Sequence, residues 1–211
     1  MDLNDPAIRT GHSPRSVNYI KNGCLLHRIF LKVAFFIVIF TLSFHLPYFS
    51  PELYNKQKTI QEILEVLERH PTELANVTKE ELAKVIYEEA VRYNHDPKFI
   101  LALIAIESSF RNSSVSEKGA KGLMQIMPYV AESLAQELGI EWSGDRTLFN
   151  PFLNIKLGSY YLSLLIRDFE DHGLALVAYN YGPTYVKGLI GRKIRIPHNY
   201  YRRVINFYQT I

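Results

Sequence analysis

With 211 residues, 47% hydrophobic and 21% charged, the chain has room for one well-cored domain of about 150 residues plus extra segments, which excludes two large domains. The formal net charge of +3 is a poor guide to partners, because five Lys/Arg against two Asp/Glu before residue 51 account for it and leave nineteen of each sign beyond. The single cysteine, Cys24, excludes an internal disulfide, and no later thiolate exists to bind zinc or an iron–sulfur cluster.

The chain opens on a basic leader, 1–28, containing Arg9, Arg15, Lys21 and Arg28. Lys32 and an apolar run from Val33 to Leu46 follow, so 29–49 reads as a transmembrane or signal segment. The run is short for a crossing, but Lys32 can snorkel and Tyr48 and Phe49 suit an interface. Bulky Phe44 and His45 after Thr41-Leu-Ser43 make a poor cleavage site, which favours an uncleaved anchor. Cys24 lies ahead of the run, opposite to the place of a lipoprotein cysteine. Positive charge before the run keeps the N-terminus cytoplasmic and exports Glu52 onward.

Beyond it the pattern is helical, with no strand-like alternation and no solenoid repeat. Residues 50–77 form a polar spacer with one helix, Thr59 to Arg69, ended by His70-Pro71. The domain proper, 78–211, begins with a capping box, Thr78-Lys-Glu-Glu81, followed by Leu82, Val85, Ile86, Glu89, Ala90 and Tyr93 at helical spacing. Asp96-Pro97 starts the next helix, whose Ile100, Leu103, Ile104 and Glu107 share one stripe. A lone carboxyl on an apolar stripe has a raised pKa and stays protonated near neutral pH, as a general acid requires. A Glu near a helix end can equally tip into solvent.

Gly119-Ala-Lys-Gly122-Leu-Met-Gln-Ile-Met-Pro128 presses apolar side chains around one amide, Gln125, and reads as a cleft wall or a core-packing loop. Helices follow at Pro128–Leu138, stopped by Gly139, and at Pro151 to about Glu170, with Ile155, Leu162, Leu165, Ile166 and Phe169 inward. Leu174–Tyr181 and Tyr200–Gln209 complete an all-α domain. From Thr184 onward Lys187, Arg192, Lys193, Arg195, Arg202 and Arg203 occur with no acid, a solvated surface or a face for an anionic polymer. The seven histidines are scattered without ligand spacing, and neither glycine-rich segment follows a strand, so no metal and no cofactor is expected.

Four motifs in order, Glu107-Ser108-x-Phe110, Gly122-Leu-Met-Gln-Ile-Met-Pro128, Asn154-Ile-x-x-Gly158-x-x-Tyr161-Leu162 and Ala178-Tyr179-Asn180-x-Gly182, resemble the soluble-lytic-type catalytic domain of the lytic transglycosylase family. The resemblance covers roughly 80–211. It implies a lysozyme-like fold and non-hydrolytic cleavage of the β-1,4 bond between N-acetylmuramic acid and N-acetylglucosamine in peptidoglycan, leaving 1,6-anhydro ends. Glu107 would be acid and then base, with the 2-acetamido oxygen steadying the cationic centre. Ser108 would bond substrate or brace the turn, Met124 and Gln125 would line the cleft, and Tyr179 and Asn180 would face Glu107. Tyr200 resembles the tyrosine of the family's closing helix, although Pro197-His198 stands where an acidic-threonine pair is usual.

The implied partners are peptidoglycan strands, the membrane through 29–49, and an envelope-spanning assembly, with the domain periplasmic and tethered and no nucleic acid involved. A second carboxylate, among Glu117, Glu132, Glu141 and Asp145, would instead make a goose-type lysozyme-like hydrolase. A non-catalytic wall-binding module is the third expectation.

Overall fold

The computed structural model describes residues 27–41 and 50–211. Two compact units divide the chain at Ser50/Pro51. In the first, α1 (27–41) is a helix whose Phe30, Phe35, Phe36 and Phe40 are all exposed. No helix among the described residues is long and apolar enough to cross a membrane. The rest of the expected leader and of the 29–49 segment, 1–26 and 42–49, lies outside the described residues.

The described elements of the second unit are helices joined by loops: α2 (Pro51–Glu68), α3 (Lys79–Arg92), α4 (Pro97–Ser108), α5 (Pro128–Glu137), a 3-10 turn (Asp145–Phe149), α6 (Pro151–Phe169), α7 (His172–Tyr181), α8 (Pro183–Gly191) and α9 (Asn199–Tyr208). The all-α expectation therefore holds; β pairing among the described residues is limited to isolated bridges of Lys121 with Val115 and Ile126. Local chemistry sets the helix starts. Thr78 and Glu81 close the capping box reciprocally, Asp96 accepts from Lys98 N at 2.8 Å, Asn150 accepts from Phe152 N and Leu153 N, and Asp171 accepts from Leu174 N at 2.7 Å.

Two elements differ from the sequence reading. The helix expected at Thr59–Arg69 starts at Pro51, and its Ile63 and Leu67 are fully buried against α3 and α4, so this stretch is part of the core. The helix α8 was not expected at all. Gly188 and Gly191 depress its propensity, while Pro183 at the first helical position and Val186 and Leu189 turned inward are what form it.

At the centre lies α4. Its Ile100, Ala102, Leu103 and Ile104 are fully buried, enclosed by α2, α3 and α9. It ends abruptly: Ser109 (φ 53°) and Phe110 (φ 65°) are both left-handed, a geometry costing roughly 1 kcal/mol or more per non-glycine residue. What holds the turn is the buried Phe110 ring, packed 4.7 Å from His70 and 6.2 Å from Phe207 between centroids. The sharp stop leaves Glu107 at the rim of the core instead of in the middle of a longer helix.

Candidate active site

Glu107 sits one heptad after Ile100, on the stripe that α4 turns to the core, and is half-buried. Burial is the largest influence on it and pushes its carboxyl up to about 7; a hydrogen bond from Tyr200 and the positive charge of Arg203 oppose that shift. Near neutral pH such a group both gives and accepts a proton. The phenol of Tyr200, itself buried on α9, donates to Glu107 Oε1. Burial and the neighbouring carboxylate push the Tyr200 hydroxyl well above its ordinary range, so it remains a donor whenever Glu107 is charged. Glu89 is the contrasting case: this acid is buried on the inward stripe of α3, with Arg92 Nε 3.0 Å from its carboxylate. Among the described residues no other carboxylate shifts the Glu107 carboxyl. Glu117, Glu132, Glu141 and Asp145 are all exposed, and Asp145 is paired with Lys121 at 3.2 Å.

Tyr179 reaches the same place from α7. Its hydroxyl donates to the carbonyl of Met124 at 2.9 Å, and burial followed by the Glu107 charge pushes its pKa well up. Met124 is fully buried, so its side chain offers no surface to a ligand; its backbone carbonyl and N–H hold the loop between Tyr179 and Asn154. Gln125, left-handed at φ 49°, turns its amide back onto its own loop, donating to Gly122 O at 2.8 Å and Ser114 O at 3.0 Å. Ser108 is buried and donates to Ile104 O at 3.2 Å, which braces the last turn of α4. Asn180 is exposed, one residue beyond Tyr179. Glu107, Tyr179 and Tyr200 thus converge. Met124, Gln125 and Ser108 support the walls around them.

Residues 84–197, more than half of the chain, match the transglycosylase SLT domain. The chain belongs to this family. As a transglycosylase SLT domain it is 36% identical over 84 residues to a membrane-bound lytic murein transglycosylase C from Actinobacillus pleuropneumoniae serotype 5b, an alignment covering 39% of this chain and 23% of that protein. It is 42% identical over 74 residues to an endo-type membrane-bound lytic murein transglycosylase A from Klebsiella pneumoniae, covering 33% of this chain and 36% of that protein. The chain thus spans less than half the length of these relatives. Its fold matches the crystal structure of the 70 kDa soluble lytic transglycosylase from Escherichia coli with a TM-score of 0.51 at 22% identity, over 72% of this chain and 28% of that one.

Within this SLT domain, two residues of the motifs take on roles that the sequence reading did not assign. Asn154, fully buried on α6, accepts from Met124 N at 2.7 Å and donates to Lys121 O and Leu148 O, both at 3.0 Å. Tyr161 packs its ring 5.3 Å from that of Tyr179, and burial pushes its pKa up to about 12. The available signal was an amide one position from Ile155 in an otherwise apolar turn. Arg203, three residues after Tyr200, is the charge that acts on Glu107, and only its place one helical turn on hinted at this.

Proposed function

We propose that the chain cleaves the MurNAc–GlcNAc β-1,4 bond of peptidoglycan without water, as a lytic transglycosylase with Glu107 as both acid and base. The observation that carries the reading is Glu107 itself: a half-buried carboxyl at about 7, hydrogen-bonded by Tyr200, with no second carboxylate among the influences on it. A retaining or inverting hydrolase needs two such groups flanking the bond. With one, protonated Glu107 gives its proton to the glycosidic oxygen as the bond from that oxygen to C1 of N-acetylmuramic acid breaks. The 6-hydroxyl oxygen of the same sugar then forms a bond to C1, and its proton passes to the Glu107 carboxylate. Glu107 ends as it began, and no water is consumed. The internal hydroxyl is held near C1 by the sugar's own skeleton, an advantage in entropy over a free nucleophile. Tyr200 steadies the carboxylate in the interval when it is charged.

In this reading Tyr200 and Tyr179 serve the acid directly, Ser108, Met124 and Gln125 serve it by bracing the end of α4 and the 122–128 loop, and Asn180, exposed beside Tyr179, meets the sugar. The 29–49 segment tethers the domain to the inner membrane from the periplasmic side, with the basic leader in the cytoplasm. Two features support the tether: the apolar side chains that α1 exposes around its circumference, and the membrane-bound description of the relatives above. An action close to the membrane suits a role in opening the wall for an envelope-spanning assembly.

Digestion of purified peptidoglycan, with products resolved by mass, tests the reaction. Anhydro-muramoyl ends are the expected result. Reducing ends in their place would convert the assignment to a lysozyme-type hydrolase, and binding without any product would make the chain a wall-binding module.

A further inference from the structure

The last 28 residues, Thr184 to Ile211, contain six basic residues and no acid, and they surround the start of α9, the helix that carries Tyr200 to Glu107. Lys187 is neutralised by Asp168 at 2.7 Å. Among the described residues no carboxylate lies within ion-pair distance of Arg192, Lys193, Arg195 or Arg202, while the charge of Arg203 acts on Glu107. Uncompensated charge of one sign raises the local concentration of an oppositely charged ligand.

The charge is also shaped. A pocket of about 220 Å³ is lined by Arg195, Ile196, Pro197, His198, Asn199 and Arg202. Arg202 Nη2 donates to Asn199 Oδ1 at 2.7 Å, which fixes one guanidinium at the pocket edge and leaves its other N–H groups for a ligand. Ile196 and Pro197, half-buried, supply an apolar wall beside the two exposed arginines. Two guanidinium forks at one small concavity suit carboxylates, which they bind through paired N–H donors. Tyr200, on the same helical turn, faces inward to Glu107, so the pocket and the acid are served by opposite sides of the start of α9.

We infer that this pocket binds a carboxylate of the acidic peptide stems that branch from the glycan, with Arg195 and Arg202 as its anchors, so that the enzyme favours peptide-bearing strands over bare ones. The inference rests on the reading of Glu107 as acting on peptidoglycan. It adds a substrate preference that the glycan chemistry alone does not require. Exposed Ile190 and Ile194 lie in the same basic stretch, which makes an anionic lipid surface the competing source of negative charge.

The test pairs binding with turnover. Peptide-bearing sacculi and sacculi stripped of stems by an amidase are sedimented with the full chain and with Arg195→Gln/Arg202→Gln. The expected result is tighter retention of the wild type on peptide-bearing wall, with that preference reduced about tenfold in the double variant, the effect of one lost charge-assisted bond. Arg195→Lys/Arg202→Lys keeps the charge without the fork and is expected to fall between. Equal retention on both walls, or equal loss on both in the variant, overturns the inference. So does a variant whose lost affinity is for phosphatidylglycerol vesicles while its wall preference is intact. Anhydro products are read in the same samples: stem-dependent retention without them would leave the pocket assignment standing and remove the lyase reading.

Discussion

The phenol of Tyr200 donates to the carboxylate of Glu107 across 93 positions of sequence, joining the last helix to the central one. The bond acts against burial: burial raises the Glu107 pKa, and the donor lowers it by favouring the charged form. Replacing Tyr200 with Phe leaves burial in place and removes the donor. The Glu107 pKa then rises above about 7, and the fall of kcat/KM with increasing pH, as Glu107 loses its proton, moves to higher pH. The interval in which Glu107 is an anion also loses its partner, so kcat drops by roughly 10- to 100-fold, the equivalent of one hydrogen bond to a charged group. A pH–rate profile of both proteins checks the pair of effects. A lowered rate with an unmoved limb would assign Tyr200 to packing alone.

Glu107 also makes folding stability depend on pH. Its pKa is about 7 folded against an ordinary 4.5, so between those values the native state holds more protons than the unfolded one. Stability contributed by this group is therefore greatest below 4.5 and declines as pH rises to about 7, by roughly 3 kcal/mol in all. Glu107→Gln lacks that decline. The variant should be inactive, with a loss of 10²-fold or more, and yet melt several degrees above the wild type at pH 8 while matching it more closely at pH 4.5. Thermal unfolding across that range decides it, and parallel curves would show that the carboxyl is not held in an apolar setting.

Much of this was legible in the sequence because it was local. Thr78 and Asp96 announce helix starts through side chains that cap their own backbone neighbours, and the stripe from Ile100 to Glu107 places the acid without any tertiary information, whereas the Asp171 cap, which starts α7 two residues before the expected Leu174, was not read. Contacts between distant segments were not legible. Gln125 looked like a cleft residue from its apolar neighbours, yet a left-handed backbone turns its amide onto Gly122 and Ser114. Met124 is covered by Gly158, 34 positions away, and nothing in its own window shows that. The membrane expectation rests on hydropathy over 29–49, part of which lies outside the described residues.

Gly158 predicts a defined failure. A Cβ at this position would lie 2.4 Å from Met124 Sδ and 2.8 Å from Met124 Cβ, well inside contact distance. The sulfur end can swing away, but the Cβ belongs to a loop pinned by Asn154 and Tyr179. Gly158→Ala should cost about 1–3 kcal/mol as overpacking and reduce kcat by displacing the Tyr179 hydroxyl from Met124 O. Adding Met124→Ala removes most of the clashing atoms and should recover part of the stability. A denaturant-unfolding cycle of the two singles and the double measures the coupling, and additive losses would show that the two residues do not meet.

Asn154 is the strictest case, because its two side-chain ends have different duties. Oδ1 accepts from Met124 N, while Nδ2 donates to two carbonyls, Lys121 O and Leu148 O, and the residue is fully buried. An aspartate is nearly the same shape but at neutral pH puts a second acceptor against those two carbonyls. Asn154→Asp must therefore bind a proton to fold well: protonated, it can donate to one carbonyl; charged, it is buried and repelled by both. Its stability should be closest to wild type in acid and fall as pH rises, whereas Asn154→Ala should lose about 2–4 kcal/mol with no such slope of its own, through carbonyls and an N–H left unpaired. Melting both variants from pH 4 to pH 8 separates the charge from the lost bonds. If the Asp variant shows the same pH dependence as the Ala variant, the site admits enough water to satisfy either end, and Asn154 is not what joins the Met124 loop to α6.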